Sequence, residues 1–134
     1  MNRVLVDTSV WIDALNGKAT PEVFSLNELI ESDAVVLCPV VIQEILQGIK
    51  NDSDFRQVTF ALSGFELLQI DPMEAAVGAA EIYRNARKKG VTIRKSNDCL
   101  IAFYAIFCEV PLLHNDEDFS KIAQTAKLMI FGRT

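Results

Sequence analysis

The sequence has few of the residues that build several common classes of active site. It contains one histidine, His114, and three cysteines, Cys38, Cys99 and Cys108, with no C-x-x-C spacing. An odd cysteine count without paired spacing supports neither a disulfide framework nor a zinc site. No P-loop or G-x-G-x-x-G motif is present, so the nucleotide-binding classes that depend on these motifs are excluded.

Long hydrophobic runs and an excess of basic residues are also missing. No apolar stretch is long enough to span a bilayer, and residues 1–3 lead directly into the first strand rather than into a basic-then-apolar signal segment. We therefore expect a cytoplasmic protein with no membrane partner. The net charge of −5 argues against a protein that coats nucleic acid, but it allows an enzyme whose acids are concentrated at a metal site.

What the chain does have is a regular alternation of apolar strands and amphipathic helices over 134 residues, half of them hydrophobic. Short strands are predicted at residues 4–6, 34–37, 65–70, 111–113 and 128–130, with helices between them, and the first two of these strands are predicted to be buried. This order predicts an α/β fold in one domain over residues 1–134: a central parallel sheet of four to five strands, with helices on both faces.

Two helices matter for the position of acidic residues. Thr8 and Ser9 are predicted to cap a short helix that begins at Val10. Pro39 opens another helix, and its predicted core face lies at i, i+3, i+4 and i+7 spacing. The residues of that face are Ile42, Ile45, Leu46 and Ile49, and Glu44 lies off it.

Acidic residues recur where the predicted strands end and the following helices begin. Asp7 follows the first strand, Glu44 lies in the second turn after the second strand, and Asp98 opens the helix that leads to the fourth strand. Asp116 follows that fourth strand, with Asp118 two residues later. Because parallel strands all end at one edge of the sheet, these distant segments should bring their carboxylates together there.

Each acid alone has a simpler explanation, as a helix cap, as favourable charge at a helix start, or as a solvated side chain. Joint placement is harder to explain in that way, because two carboxylates about 4 Å apart repel by roughly 4 kcal/mol at an effective dielectric of 20. Protons or cations must neutralise such a group. Hard oxygen ligands favour Mg²⁺ or Mn²⁺, and one or two such ions can activate water against a phosphodiester.

Four segments in this order resemble the PIN-domain proteins, in the short single-domain form of the VapC toxins of type II toxin–antitoxin modules. The segments are Val6-Asp7-Thr8-Ser9, Gln43-Glu44 with Gly48, Ser96-Asn97-Asp98-Cys99-Leu100-Ile101-Ala102, and Asn115-Asp116-Glu117-Asp118-Phe119. The resemblance covers the whole chain. It implies a PIN-like three-layer sandwich and a Mg²⁺- or Mn²⁺-dependent endoribonuclease. It also implies a homodimer, a VapB-type antitoxin partner and a structured RNA substrate such as tRNA or rRNA.

The resemblance also assigns roles. Asp7, Glu44, Asp98 and Asp116 match the family's acidic quartet, and Asp118 matches its further acid. We expect Asp7 and Asp98 as the most direct metal ligands, while Glu44, Asp116 and Asp118 complete the coordination or hold a second ion. Thr8 and Ser9 are auxiliary hydroxyl candidates.

One departure from the family pattern concerns His114, which stands where a threonine or serine is common, so it either forms a hydrogen bond in place of that hydroxyl or packs. A basic cluster near the end of one helix and in the following loop provides weaker candidates for RNA contacts: Arg84, Arg87, Arg94 and Lys95. The alternative functions are a catalytically silent PIN-fold binding module and a receiver-like phosphorylation switch.

Overall fold

Strands and helices alternate along the chain in the computed structural model, which describes residues 2–132. The strands of this range are β1 (Val4–Val6), β2 (Val35–Leu37), β3 (Glu66–Leu67) and β4 (Leu112–Leu113). Its helices are α1 (Thr8–Leu15), α2 (Pro21–Glu31), α3 (Pro39–Gln47), α4 (Asp52–Leu62), α5 (Pro72–Lys88), α6 (Ser96–Phe107) and α7 (Glu117–Thr125). Within residues 2–132, no helix is both long enough and apolar enough to cross a bilayer.

The strands form one parallel sheet in the order β3-β2-β1-β4. β1 lies between β2 and β4, with Leu5 opposite both Val36 and Leu112. Every residue of β1 and β2 is buried, which requires helices on both faces of the sheet. The predicted α/β three-layer architecture is therefore confirmed, while the extent of the single domain over residues 1–134 stays a prediction.

The predicted fifth strand at residues 128–130 is wrong. One isolated bridge joins Ile130 to Leu112, and Leu112 donates its N–H to the carbonyl of Met129 at 2.9 Å. Gly132 follows with a φ of +82°, a left-handed conformation that ends extended pairing. The sheet consequently gains a single bridge at this edge and no fifth strand within the described residues.

The first helix begins two residues earlier than predicted. α1 starts at Thr8, and Asp7 is its N-cap, with a carboxylate oxygen that accepts a hydrogen bond from the Ser9 N–H at 3.0 Å. The predicted Thr8-Ser9 cap is wrong because the side chain at the very end of β1 already reaches the first free N–H groups of the helix.

The core face of α3 is rotated relative to the prediction. Val41 and Ile45 are fully buried, whereas Ile42 and Leu46 are only partly buried. α3 contacts α1, α4 and α6, so it is covered from more than one side. As a result Glu44, predicted to lie off the core face, is partly buried rather than fully solvated.

α5 and α6 pack closely against each other. A Cβ atom added at Gly78 of α5 would lie 2.1 Å from the ring of Phe103 on α6. The prediction that the helix from residue 99 is buried is confirmed, since most of the residues of α6 from Asp98 to Ala105 are buried. This contact fixes the position of α6, whose first turn carries Asp98.

Candidate active site

Asp7 lies where β1 ends, at the edge of the sheet that the sequence predicted. Its Oδ2 accepts hydrogen bonds from the Ser9 N–H at 3.0 Å and from the Ser9 Oγ–H at 2.6 Å, and the residue is 3% exposed. Burial raises the pKa of Asp7, and this effect outweighs the two Ser9 hydrogen bonds, which favour the charged form. The nearby Glu44 carboxylate raises the pKa further.

Glu44 is held at this edge by contacts from two other helices. Thr8 at the start of α1 donates its Oγ1–H to Glu44 Oε1 at 2.6 Å. Asn97 at the start of α6 donates to Glu44 Oε2 at 3.4 Å. Both bonds orient a carboxylate that is partly buried, so its position is set by the packing of α1, α3 and α6.

Asp98 lies in the first turn of α6 and is 4% exposed. Its Oδ2 is buried, and no hydrogen bond reaches this oxygen from residues 2–132. Burial, followed by the charge of Asp7, raises the pKa of Asp98 to about 7, although the Lys95 ammonium opposes the shift. A carboxyl group in this position needs either a proton or a cation at neutral pH.

Asp116 follows β4 and caps α7, with Oδ1 accepting the Asp118 N–H at 3.0 Å. Its Oδ2 accepts a hydrogen bond from the Lys95 ammonium. Burial is the largest single effect and would raise the pKa of Asp116, but the hydrogen bonds from Lys95 and from the Asp118 N–H, together with the charges of Lys95 and Arg94, outweigh it, and the pKa lies below its usual range. The same bond is the main reason that the pKa of Lys95 is raised.

Asp118 is completely buried, behind the other acids. Its Oδ1 lies 3.4 Å from Arg94 Nε and 3.9 Å from Lys121 Nζ, and both of these basic side chains are partly exposed. Its Oδ2 receives no hydrogen bond within the described chain. Asp118 is therefore close to the site but does not line the cavity that the other acids share.

One cavity of about 260 Å³ joins the four acids of the predicted quartet. The residues that line it are Asp7, Thr8, Ser9, Ile12, Glu44, Gln47, Lys95, Asp98 and Asp116. Arg84 and Arg87 line a separate cavity of about 280 Å³ together with Tyr83, Ser96 and Cys99. The structure thus brings the acidic quartet, both auxiliary hydroxyls and Lys95 around one cavity. Arg94 contacts the neighbouring Asp118, whereas Arg84 and Arg87 lie at the separate cavity.

His114 acts on Asp116 rather than on the cavity. Its Nδ1 accepts the Asp116 N–H at 3.1 Å, and its ring lies 5.2 Å from that of Phe119. The ring therefore packs against Phe119 and accepts a backbone hydrogen bond, and it does not line the acidic cavity.

Several residues around the site were not singled out from the sequence. Gln47 lies one turn after Glu44, and Ile12 lies one turn after Ser9, so helical spacing from a predicted residue is the signal that could have found them. Asn115 donates its backbone N–H to Ser9 Oγ at 3.1 Å, a contact across 106 positions that no local pattern reveals.

The acidic group fits a divalent cation. Carboxylate oxygens of Asp98, Asp116 and Asp118 all lie within 4.8 Å of one another. Two buried oxygens, one on Asp98 and one on Asp118, receive no hydrogen bond from residues 2–132. A donor set made only of carboxylate oxygens suits hard cations such as Mg²⁺ or Mn²⁺ and does not suit zinc.

The two hydroxyl groups that line the cavity are both hydrogen-bonded to carboxylates. The Thr8 Oγ1–H donates a hydrogen bond to Glu44, and the Ser9 Oγ–H donates a hydrogen bond to Asp7. The described lining contains neither histidine nor cysteine. The charged groups of this lining are therefore the four carboxylates and the Lys95 ammonium.

The chain resembles known proteins in its sequence and in its fold. The PIN domain family matches residues 4–124. The chain is 32% identical, over 127 residues, to "VapC ribonuclease Mb1587" of Mycobacterium bovis and to "Ribonuclease VapC11" of Mycobacterium tuberculosis, covering 93% of this chain and 95% of each relative.

Solved structures show the same fold at lower sequence identity. A structure of "VapBC2 from Rickettsia felis bound to a DNA fragment from their promoter" has a TM-score of 0.74 at 19% identity, covering 95% of this chain and 96% of the other. A structure of "FitAcB from Neisseria gonorrhoeae" has a TM-score of 0.69 at 21% identity, covering 96% of both chains. At these identities the likeness establishes the fold alone.

Proposed function

The chain belongs to the PIN domain family and is a relative of the VapC ribonucleases, and from this premise we propose that it is a metal-dependent endoribonuclease, the toxin of a toxin–antitoxin pair. The meeting of Asp7, Glu44, Asp98 and Asp116 around one cavity carries the proposal. Because the described lining holds four carboxylates and neither histidine nor cysteine, we propose hydrolysis of RNA phosphodiesters by a metal-activated water rather than by an enzyme nucleophile.

We propose Mg²⁺ or Mn²⁺ as the cofactor, with Asp7 and Asp98 as its most direct ligands. Glu44, Asp116 and Asp118 complete the coordination or hold a second ion. When bound, the dication lowers the pKa of water and neutralises charge on the phosphodiester. The buried Asp98 oxygen without a hydrogen bond supports this assignment, since it is an oxygen ligand that residues 2–132 leave available.

Three neighbours position these carboxylates. Thr8 and Ser9 fix the orientation of Glu44 and Asp7 through hydrogen bonds of 2.6 Å each. His114 holds the backbone of Asp116 through its Nδ1. We assign all three a positioning role, because rigid carboxylates keep a metal and its water in productive geometry.

We propose RNA, with tRNA or rRNA as the class implied by family resemblance, as the substrate. Arg84 and Arg87 are exposed and border a cavity that Ser96, at the start of α6, also lines. They are candidates for contacts with the RNA backbone. Arg94 is bonded to Asp118, so we assign it first to the acidic group.

We propose that a VapB-type antitoxin covers the site. An apolar groove lined by Ile12, Leu15, Ile45 and Ile49 adjoins the acidic cavity, and Ile12 belongs to both. Ile12 is 40% exposed and Leu15 is 51% exposed. An antitoxin segment whose apolar residues fill the groove and whose one cation reaches the acidic cavity would match this surface.

Leu15→Glu places a charge in the apolar groove, so it should reduce co-purification with the antitoxin.

A homodimer is the assembly we propose for the toxin. Met73 and Val77 on α5 are 73% and 50% exposed, and Phe107 at the end of α6 is 49% exposed. The Gly78–Phe103 contact joins these two helices, and the ring of Phe107 lies 5.6 Å from that of Phe103. We propose that these exposed apolar side chains form the dimer surface. Sedimentation of the parent and of Val77→Asp tests this assignment, and a dimeric parent with a monomeric variant is the expected result.

Cleavage of RNA by an Asp7→Asn variant tests the function. Asparagine is also a good N-cap, so the variant should stay folded while losing at least about 100-fold in Mg²⁺-dependent cleavage of total RNA. Asp13→Asn on the same helix is the matched control, because Asp13 contacts Lys18 and Asn115 outside the cavity. Equal cleavage by folded Asp7→Asn and by the parent would refute the proposal.

The alternative of a catalytically silent PIN-fold binding module gives a different outcome. It predicts stabilisation of the parent by Mg²⁺ without cleavage of any RNA. Membership of the PIN family speaks against the receiver-like switch.

A further inference from the structure

Lys95 places an ammonium group among the carboxylates of the candidate metal site. Its Nζ donates a hydrogen bond to Asp116 Oδ2 and lies 3.9 Å from Asp98 Oδ2. The same two carboxylates belong to the group whose oxygens lie within 4.8 Å of one another. The lysine charge thus lies beside two of the carboxylates that a bound dication would need.

Two other cations near the acidic group make different contacts. Arg94 and Lys121 approach Asp118 Oδ1, at 3.4 Å and 3.9 Å, and neither lines the shared cavity. Across residues 2–132, the ion pairs formed by Asp98 and Asp116 all involve Lys95. Lys95 is therefore distinguished from its basic neighbours by which carboxylates it contacts.

The backbone of Lys95 is fixed, but its side chain has room to move. Lys95 is the N-cap residue of α6, and its carbonyl accepts the Asp98 N–H at 3.0 Å. Its side chain is 56% exposed and has a flexible four-carbon stem. The ammonium can leave Asp116 by rotation of the side chain, without displacement of α6.

We propose that Lys95 is an internal counter-cation that exchanges with the divalent metal at Asp116 and so sets the metal concentration at which the site fills. This inference rests on the proposed function. Mg²⁺ holds oxygen ligands at about 2.1 Å, which brings the dication close to an ammonium bonded to the same oxygen. The repulsion between the two cations favours release of the lysine. Lys95 stabilises the metal-free site and weakens metal binding, because its ion pair with Asp116 breaks on exchange.

Direct metal titration tests the exchange without RNA. Mn²⁺ binding is measured by calorimetry for the parent and for Lys95→Met, which keeps a long apolar side chain but removes the charge. We expect Lys95→Met to bind Mn²⁺ about fivefold more tightly, an increase in line with the loss of one partly exposed ion pair. Without metal, the variant should melt at a lower temperature than the parent, and the rise in melting temperature on adding Mn²⁺ should be larger.

Lys121→Met is the matched control, since it removes the same charge near the same acids but contacts Asp118 alone among them. Its Mn²⁺ affinity should stay within about twofold of the parent, and Lys95→Arg should bind no more tightly than the parent. An equal gain in Lys121→Met and Lys95→Met would overturn the inference, because a general change in charge would then explain both. Absence of Mn²⁺ binding by the parent would overturn it as well.

The test of cation exchange at Lys95 can be distinguished from the test of the proposed nuclease function. If the parent cleaves no RNA but Lys95→Met alone gains Mn²⁺ affinity, the exchange stands and the nuclease proposal fails. If the parent cleaves RNA and Lys95→Met gains nothing over Lys121→Met, the exchange fails and the nuclease proposal stands.

Discussion

Asp98 carries a protonation equilibrium that affects the stability of the metal-free protein. Burial, followed by the charge of Asp7, raises its pKa to about 7 in the folded chain, against an ordinary value of 3.8. Between about pH 4 and pH 7 the folded chain therefore keeps a proton that the unfolded chain releases, so stability falls as pH rises through this range. The loss is on the order of 4 kcal/mol and levels off above pH 7.

Asp98→Asn should remove this loss. The amide stays neutral and can donate to neighbouring carboxylates, so in chelator the variant should be more stable than the parent at pH 7, with a flatter profile from pH 4 to 7. Urea unfolding across this range measures the effect. Asp13→Asn should keep the pH profile of the parent, and strong destabilisation of Asp98→Asn at every pH would instead mark Asp98 as a structural carboxylate.

The cysteines differ in burial, and their reactivity should follow. Burial raises the pKa of Cys38 to about 12 and that of Cys99 to about 11, whereas Cys108 is partly exposed. Because the thiolate is the reactive form, iodoacetamide at pH 8 should modify Cys108 first and leave Cys38 and Cys99 protected until the chain unfolds. Peptide mass spectrometry reports the order, and early modification of Cys38 in native protein would contradict it.

At the scale of single elements, the meeting of the acids was predictable from the sequence. Asp7 and Asp116 each follow a strand. In a parallel sheet the carboxyl ends of all strands lie at one edge, independently of the side chains that the strands carry. The cap of α1 was not predictable to the residue, because Thr8, Ser9 and Asp7 are all good capping residues. Only the exact end of β1 decides among them.

The contact between α5 and α6 gives a prediction at this scale. Gly78→Ala would place its Cβ against the Phe103 ring and should lower the free energy of unfolding by about 1–3 kcal/mol through overpacking. Gly48→Ala is the control, since the nearest atom to its Cβ would be a carbonyl oxygen at 3.7 Å, an ordinary contact. Denaturant unfolding compares the two, and equal stability of both variants would show that the ring moves aside freely.

At the scale of the whole molecule, contacts between distant side chains were beyond sequence reasoning. Lys95 and Asp116 are 21 positions apart, and their bond depends on the rotamers of a long, half-exposed side chain. A basic residue in a loop before a helix is equally compatible with solvent exposure and with RNA contacts. For that reason the sequence indicated Lys95 only as a candidate for RNA contacts. The rotation of the α3 core face likewise follows from the simultaneous packing of α1, α4 and α6.

The charge of the assembled site predicts how the whole molecule responds to metal. Mg²⁺ should raise the melting temperature of the parent, and excess chelator should reverse the rise, because a ligand that binds only the folded state stabilises it by about 2.7 kcal/mol at 100 times its dissociation constant. Scanning calorimetry at two Mg²⁺ concentrations measures the effect. A melting temperature that does not respond to Mg²⁺ would assign the carboxylates a purely structural role.

Asp7 both caps α1 and faces the acidic cavity, and this double role has a genetic consequence. A single base change turns an aspartate codon into an asparagine codon, and asparagine keeps the helix start intact. A cell escaping a harmful gene product by this route would retain a well-folded, harmless descendant, still able to engage its neutralising partner. Among inactivated copies of genes for such toxins, a change of the residue at position 7 to asparagine should therefore be more frequent than a frameshift within α1.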